Sequence, residues 1–226
     1  APAGGSAVAK LGAGAAPANA ATEAAQTTDG SVAGQSAGLS DSSRGLQSGQ
    51  AAAGAPSGAA VADLPFKASD AIGVLMAYSA KVRLDQIGSN DTTDTLTNGV
   101  SSRRNQLLMD ISSELGVASV DGAAEATLDK LAQIVNKAAP NYKPFGAVLS
   151  EALRDRLRSL FGAAGVKQQY IRDRVTNVWQ LGEGWVASVL ATLLLDTREG
   201  ASSRGGDLSK LPTAAVQNKP EADKLI

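Results

Sequence analysis

Apolar residues recur at helical spacing from Phe66 to about Glu199. The periodicity predicts six helices, at about 69–87, 101–115, 123–138, 145–161, 166–181 and 183–196. Ser69 is placed to cap the first helix, and Gly116 is placed to end the second. The second helix presents one apolar face, made of Leu107, Leu108, Ile111 and Leu115. No stretch alternates as a half-buried strand does, so the pattern predicts an all-α fold.

The segments on either side of this periodic region have a different composition. Residues 1–65 are mostly Ala, Gly, Ser and Thr with scattered prolines, and they contain few large apolar side chains. Such a segment buries too little surface to offset its conformational entropy, so we expect a flexible linker; an arm ordered by a partner is the alternative. Residues 200–226 return to a similar composition and predict a second linker. Between the first two helices, residues 88–100 predict a loop in which Leu96 contacts the core.

The composition limits the chemistry available to this chain. It has 226 residues and a net charge of -1, which gives no basic field for nucleic acid or an anionic membrane. Without cysteine or histidine it lacks thiol catalysis, thiolate metal sites and the commonest general base. We therefore expect no catalytic residue, no metal site and no nucleic-acid or membrane partner. The most apolar stretch, Trp185 to Leu195, is shorter than the roughly 20 residues that span a bilayer, so the expected location is the cytoplasm.

The candidate site is a pair of serines, Ser101 and Ser102, at the predicted start of the second helix. They directly follow an Asn98-Gly99 turn signal. A serine here is a favoured helix N-cap, which is a purely structural role. The same place also suits a serine that bears a phosphodiester, because the first N–H groups and the positive end of the helix dipole favour an anion. The local pattern leaves both interpretations open.

The order of these features resembles a known family. The run from Phe66 to Gly116, "FKASDAIGVLMAYSAKVRLDQIGSNDTTDTLTNGVSSRRNQLLMDISSELG", is similar to the acyl carrier domain of the type I fatty acid synthases of fungi and mycobacteria-like bacteria. Its N-x-x-L-x-D-x-x-x-E-x-G pattern is carried by Asn105, Leu108, Asp110, Glu114 and Gly116. Later segments, to about Asp207, resemble the additional structural helices of these domains, closest to the bacterial single-chain version.

The resemblance implies a fold and a domain organisation. It implies an acyl-carrier helical bundle extended by additional structural helices and flanked by flexible linkers. The expected divisions are a linker at 1–65, a carrier core at 66–140, additional helices at 141–199 and a C-terminal linker at 200–226.

The resemblance also implies a cofactor and a function. Ser101, two residues after Gly99, matches the serine that carries 4'-phosphopantetheine from coenzyme A, with Ser102 as the second candidate. The domain would shuttle acyl thioesters between catalytic domains and would not itself catalyse. The residues expected to dock partners are Val100, Arg103, Arg104 and Asp110.

The implied partners are the other parts of such a synthase. They are the ketoacyl synthase, ketoreductase, dehydratase, enoyl reductase and acyl or malonyl transferase domains, together with a phosphopantetheinyl transferase. A different class of function remains an alternative, a helical assembly protein such as a secreted filament or virion component with a disordered arm. Under that alternative, Ser101→Ala would alter only a helix cap.

Overall fold

The computed structural model describes residues 61–226. This part of the chain is helical, with two isolated β-bridges and no strand. The α-helices are α1 (Ala68–Ser79), α2 (Thr93–Leu96), α3 (Ser101–Leu115), α4 (Leu128–Ala138), α5 (Ala147–Phe161), α6 (Gln168–Asp173), α7 (Glu183–Asp196) and α8 (Lys219–Leu225). The predicted all-α class is thereby confirmed for the described residues. None of the helices within 61–226 is both long and apolar enough to cross a membrane.

Helix α1 lies at the centre of the packing. It contacts α3, α4, α5 and α7, and its buried residues lie around most of its circumference. Ile72, Leu75 and Met76 have 1% or less of their surface exposed. A helix that is apolar on nearly all sides is stable only when other helices surround it. Helix α1 is thus the element around which the rest of the described chain is built.

Two groups of helices share this central element. Helices α3 and α4 pack on α1 from the region predicted as the carrier core, whereas α5 and α7 pack on it from the region predicted as additional helices. Buried side chains from both groups belong to one continuous hydrophobic cluster. The expected division at residue 140 stays a prediction. Residues on both sides of it contribute to the same hydrophobic core.

Several predicted helix bounds differ from the observed ones. The first helix ends at Ser79 instead of continuing to about residue 87, because Lys81 adopts a left-handed backbone conformation with φ of 53°. A short 3-10 helix, Leu84–Gln86, follows it. The third begins at Leu128 instead of about residue 123, since residues 121–125 form turns. Hydrophobic periodicity marks the apolar positions but does not show where the backbone leaves the helical conformation.

The predicted helix at 166–181 is also modified. It consists of α6 followed by a π-helical stretch, Arg174–Val178, in which the hydrogen-bond pattern widens. By contrast, the predicted helices at 101–115 and 183–196 are confirmed by α3 and α7.

The C-terminal segment corrects the predicted linker at 200–226. Leu208, Val216 and Ala222 are buried, and the chain ends in α8, which begins at a side-chain cap from Asn218. The backbone N–H of Val216 donates to the carbonyl of Leu160 in α5 at 2.8 Å. These apolar residues are too widely spaced to produce a helical period, so composition alone suggested a linker. Each one packs separately onto the helices already formed.

The predicted N-terminal linker is corrected only at its end. Residues 1–60 lie outside the described residues, so the prediction for them stands as made. Residues 62–64, however, lie against the start of α7, where Asp63 Oδ1 accepts a hydrogen bond from the N–H of Gly184 at 3.0 Å. A Cβ at Gly184 would lie 1.5 Å from the carbonyl oxygen of Leu64, so only glycine permits this close approach.

Candidate functional site

The turn before α3 is formed by two consecutive residues with left-handed backbone conformation. Asn98 has φ of 54° and Gly99 has φ of 69°. Asparagine and glycine adopt this conformation more readily than other residues, which is why an Asn-Gly pair predicted the turn. The N–H of Gly99 donates to the carbonyl of Asp94 at 2.9 Å, and the N–H of Val100 donates to that of Thr97 at 3.1 Å. These bonds hold the turn against α2.

Ser101 is the first residue of α3 rather than its cap. The N-cap position is occupied by Val100, whose side chain cannot accept a hydrogen bond. Both Ser101 and Ser102 are exposed, and neither hydroxyl takes part in a hydrogen bond among the described residues. The structural interpretation of Ser101 as an N-cap is therefore wrong. The hydroxyl is left accessible for another role.

The start of α3 combines unpaired backbone donors with positive charge. No hydrogen bond within residues 61–226 uses the backbone N–H of Ser101, Ser102 or Arg103. The first turn contains no acidic residue. The positive charges in this turn are those of Arg103 and Arg104. Cations are unfavourable beside the positive end of a helix dipole unless an anion is also present. The donors and the dipole together form a setting that fits a phosphodiester attached to Ser101.

The two arginines that follow the serines are in different surroundings. Arg104 Nη1 lies 3.1 Å from Asp94 Oδ1, so this ion pair connects α3 to α2. Arg103 is exposed and forms no ion pair with the described residues. Within residues 61–226, its charge is therefore unpaired and could contact a phosphate or a partner.

The other predicted docking residues are also divided by the structure. Val100 has 40% of its surface exposed beside Ser101. Asp110 is half-buried and accepts a hydrogen bond from Gln106 Nε2 at 2.8 Å, so its carboxylate is already engaged. Val100 and Arg103 are thus the accessible members of the predicted set.

One exposed apolar residue near this site was not predicted from the sequence. Met109 has 66% of its surface exposed on the outer side of α3. It lies seven residues, or about two helical turns, after Ser102, and therefore on the same face. In the sequence, Met109 lies outside the apolar face of this helix, and that position could have indicated its exposure. A flexible thioether on an exposed helix face is suited to varied partner surfaces.

The far end of α3 is held by a buried carboxylate. Glu114, which belongs to the pattern noted in the sequence, is 2% exposed. It accepts hydrogen bonds from the Tyr142 hydroxyl at 2.5 Å and from the N–H of Gly146 at 2.7 Å. Burial, together with the bond to Glu114, raises the pKa of Tyr142 above its ordinary value. The hydroxyl therefore stays protonated and remains a donor to this carboxylate.

Comparison with known proteins gives the same family by independent means. Residues 62–204 match the family model described as the acyl carrier domain of fatty acid synthase subunit alpha. The chain is 29% identical over 145 residues to fatty acid synthase subunit alpha of Schizosaccharomyces pombe and 30% identical over 147 residues to that of Lachancea kluyveri. Each alignment covers 64% of this chain but only 8% and 7% of the respective relative, so the chain spans a small part of their length.

Proposed function

The chain belongs to the acyl carrier domain family of fatty acid synthase alpha subunits, and from this we propose that it carries acyl groups on a 4'-phosphopantetheine arm attached to Ser101. The observation that carries the proposal is the position of Ser101. It is the exposed first residue of α3, a helix that no side chain caps, and it follows the left-handed turn at Gly99. Ser102 is exposed as well but lies one residue further into the helix. Ser101 is therefore the proposed acceptor.

The residues around Ser101 support attachment of a phosphate. Its hydroxyl would form the new oxygen–phosphorus bond with coenzyme A, while adenosine 3',5'-bisphosphate leaves and a base of the transferase takes the proton. The product is an anion at the start of α3, where the first backbone N–H groups are unpaired. Arg103 adds a nearby positive charge. These groups would stabilise the modified serine.

The attached arm supplies a terminal thiol that holds the acyl group as a thioester, which this cysteine-free chain cannot provide itself. The chain's own role is to present Ser101 and the surface around it. We expect Val100, Arg103 and Met109 to make the contacts with the phosphopantetheinyl transferase and with the catalytic domains of the synthase. Arg104 and Asp110 act mainly within the chain, through Asp94 and Gln106.

The proposed partners are the domains that act successively on the acyl group. They are the ketoacyl synthase, ketoreductase, dehydratase, enoyl reductase and acyl or malonyl transferase domains. An accessible surface with few exposed apolar side chains favours short-lived complexes, as required of a carrier that visits several sites. Tethering to the same assembly would raise the local concentration of the acyl group at each of them.

The test is intact-mass spectrometry of the chain after incubation with coenzyme A and a broad-specificity phosphopantetheinyl transferase. We expect a mass gain of one phosphopantetheine group in the wild type and in Ser102→Ala, and none in Ser101→Ala. The two variants are matched, because both serines are exposed, adjacent and free of hydrogen bonds among the described residues.

Two results would contradict the proposal. Loss of the gain only in Ser102→Ala would transfer the site by one residue. No gain on unmodified, folded wild-type chain would remove the carrier function and favour the helical assembly protein. Circular dichroism of each variant shows whether its total helical content matches that of the wild type.

A further inference from the structure

A compact turn near the C-terminus lies against the segment that precedes Ser101. Ala201 and Asp207 form an antiparallel bridge, and the N–H of Ser202 donates to the carbonyl of Gly206 at 2.8 Å. Two further bonds attach this turn to the start of the loop region. Arg83 Nη1 donates to the carbonyl of Asp207, and Gln86 Nε2 donates to that of Gly205, both at 2.9 Å. The turn at 200–207 is therefore a built contact and not a free tail.

Arg204 extends from this turn to Asp91. Its Nη1 lies 2.6 Å from Asp91 Oδ2 and its Nη2 lies 2.7 Å from Asp91 Oδ1, which is a bidentate pair between residues 113 positions apart. Only 15% of the Asp91 side chain is exposed. The Arg204 guanidinium, with the N–H of Gly88 in addition, lowers the pKa of Asp91 to about 2. The pair thus remains ionised under all ordinary conditions.

Asp91 connects this pair to the turn that carries the acceptor serine. Its Oδ1 accepts a hydrogen bond from Thr95 Oγ1 in α2 at 3.1 Å. The neighbouring residue of α2, Asp94, accepts the N–H of Gly99 at its carbonyl and pairs with Arg104 at its carboxylate. Arg204 is therefore connected to both sides of Ser101 by polar contacts at each end of α2 and by the backbone of α2 between them.

This segment has few buried side chains, and its other tertiary contacts are with residues 124–129, where the N–H of Leu128 donates to the carbonyl of Asp91 at 2.8 Å. Between residues 88 and 100 only Thr93, Leu96 and Thr97 are buried, and α2 is a single turn. A helix of four residues is unstable unless tertiary contacts support it. The polar contacts of Asp91 with Arg204 and Thr95, at the start of this segment, therefore contribute to holding it in place.

We propose that Arg204 is a positioning residue for Ser101, holding the 88–100 segment through Asp91 so that the acceptor turn is formed before a partner binds. This role of Arg204 in presenting the acceptor rests on the function proposed above. The structural part of the proposal, that Arg204 stabilises the turn at Gly99, does not depend on that function. A preformed turn reduces the ordering that binding would otherwise require.

The test compares Arg204→Gln with Arg158→Gln in the full chain. Arg158 is the matched control because its side chain is 74% exposed and its nearest acidic partner, Asp155, lies 4.0 Å away on the same helix. The first measurement is amide hydrogen exchange at Gly99 and Val100, whose N–H groups close the turn. The second is kcat/KM for arm attachment by the transferase. Arg204→Lys, which retains the charge but not the bidentate geometry, is measured beside them.

For Arg204→Gln we expect about fivefold faster exchange at Gly99 and Val100, unchanged exchange in the middle of α5, and about fivefold lower kcat/KM. Arg204→Lys should lie between Arg204→Gln and the wild type. Arg158→Gln should match the wild type in both measurements. Faster amide exchange at Gly99 and Val100 with unchanged exchange in α5 distinguishes a positioning role from a general loss of stability.

Other results have distinct meanings. If Arg204→Gln equals Arg158→Gln in exchange and in kcat/KM, the positioning role is overturned. If exchange rises equally in α5 and at Gly99, Arg204 has only a general structural role and the proposal is overturned. If the wild type accepts no arm, the proposed function fails, while the exchange comparison still decides whether Arg204 holds the turn.

Discussion

The carboxylate of Glu114, near the end of α3, accepts a hydrogen bond from the backbone N–H of Leu149 in the first turn of α5, with 2.8 Å between Oε2 and N. The other oxygen accepts the N–H of Gly146, which occupies the N-cap position of α5 and has no side chain to cap it. Glu114 therefore performs the capping of α5 from a different helix. The helix that begins at Ser101 is in this way joined at its other end to the second group of helices.

Replacing Glu114 by glutamine should destabilise the whole domain. In Glu114→Gln the charge is lost and an amide N–H₂ replaces one of the two acceptor oxygens, so the backbone N–H of either Gly146 or Leu149 loses its acceptor. We therefore expect the free energy of unfolding to fall by about 2–3 kcal/mol. Urea unfolding followed by circular dichroism measures it. Glu151→Gln, an exposed position on α5, is the control and should change it by less than about 0.5 kcal/mol. A similar small change in both variants would mean that Glu114 is not the cap of α5.

Two glycine substitutions should have opposite effects on stability. A Cβ at Gly146 would lie 1.9 Å from the carbonyl oxygen of Glu114, so Gly146→Ala should lower the free energy of unfolding by about 3 kcal/mol. At Gly73, inside α1, the nearest atom to such a Cβ is Leu84 Cδ1 at 3.6 Å. Gly73→Ala should therefore raise the free energy of unfolding by about 0.5–1 kcal/mol through helix propensity. Thermal unfolding of both variants measures these changes. Changes in stability of the same sign in both variants would contradict the packing described at the two sites.

The left-handed turn before Ser101 can be tested against an equivalent turn elsewhere. Gly99 and Gly165 have φ of 69° and 65°, and a Cβ at either would meet no atom within 4 Å. Gly99→Ala and Gly165→Ala should both lose about 1 kcal/mol of stability from backbone strain. Only Gly99→Ala should slow arm attachment, measured as kcat/KM with the transferase, because only its turn leads into Ser101, the proposed acceptor. Equal slowing in both variants would show that lost stability, and not the local turn, controls the rate.

The Asp91 carboxylate predicts a specific pH dependence. Its pKa is lowered from 3.8 to about 2 in the folded chain, so it contributes stability that is complete above pH 4 and is lost as the pH falls towards 2. After allowance for partial exposure, we expect a contribution of about 1–2 kcal/mol. The difference in unfolding free energy between wild type and Asp91→Asn should be constant from pH 7 to about 4 and then shrink. A difference that does not change down to pH 2 would contradict the lowered pKa.

The sequence predicted the backbone around Ser101 better than it predicted the contacts of the neighbouring side chains. Asn98 and Gly99 form the predicted turn, α3 has the predicted bounds, and Leu96 is buried as expected. These features depend on residues close in the chain. The sequence did not show which of the predicted docking residues are accessible. Arg104 pairs with Asp94, and Asp110 accepts a hydrogen bond from Gln106, but no pattern in the sequence predicts these pairs.

What the amino-acid sequence determined by itself is the approximate position of the longer helices, though not of α2 or α8, and the turn before Ser101. Helical periodicity and tight turns are local properties of the chain. What only the tertiary structure decided is how distant segments meet, including the contact of residues 200–226 with the core, the capping of α5 by Glu114, and the pair of Arg204 with Asp91. Such contacts join residues that are up to about half the chain apart. They form only where the packed helices bring matching groups together, so composition and spacing leave no trace of them.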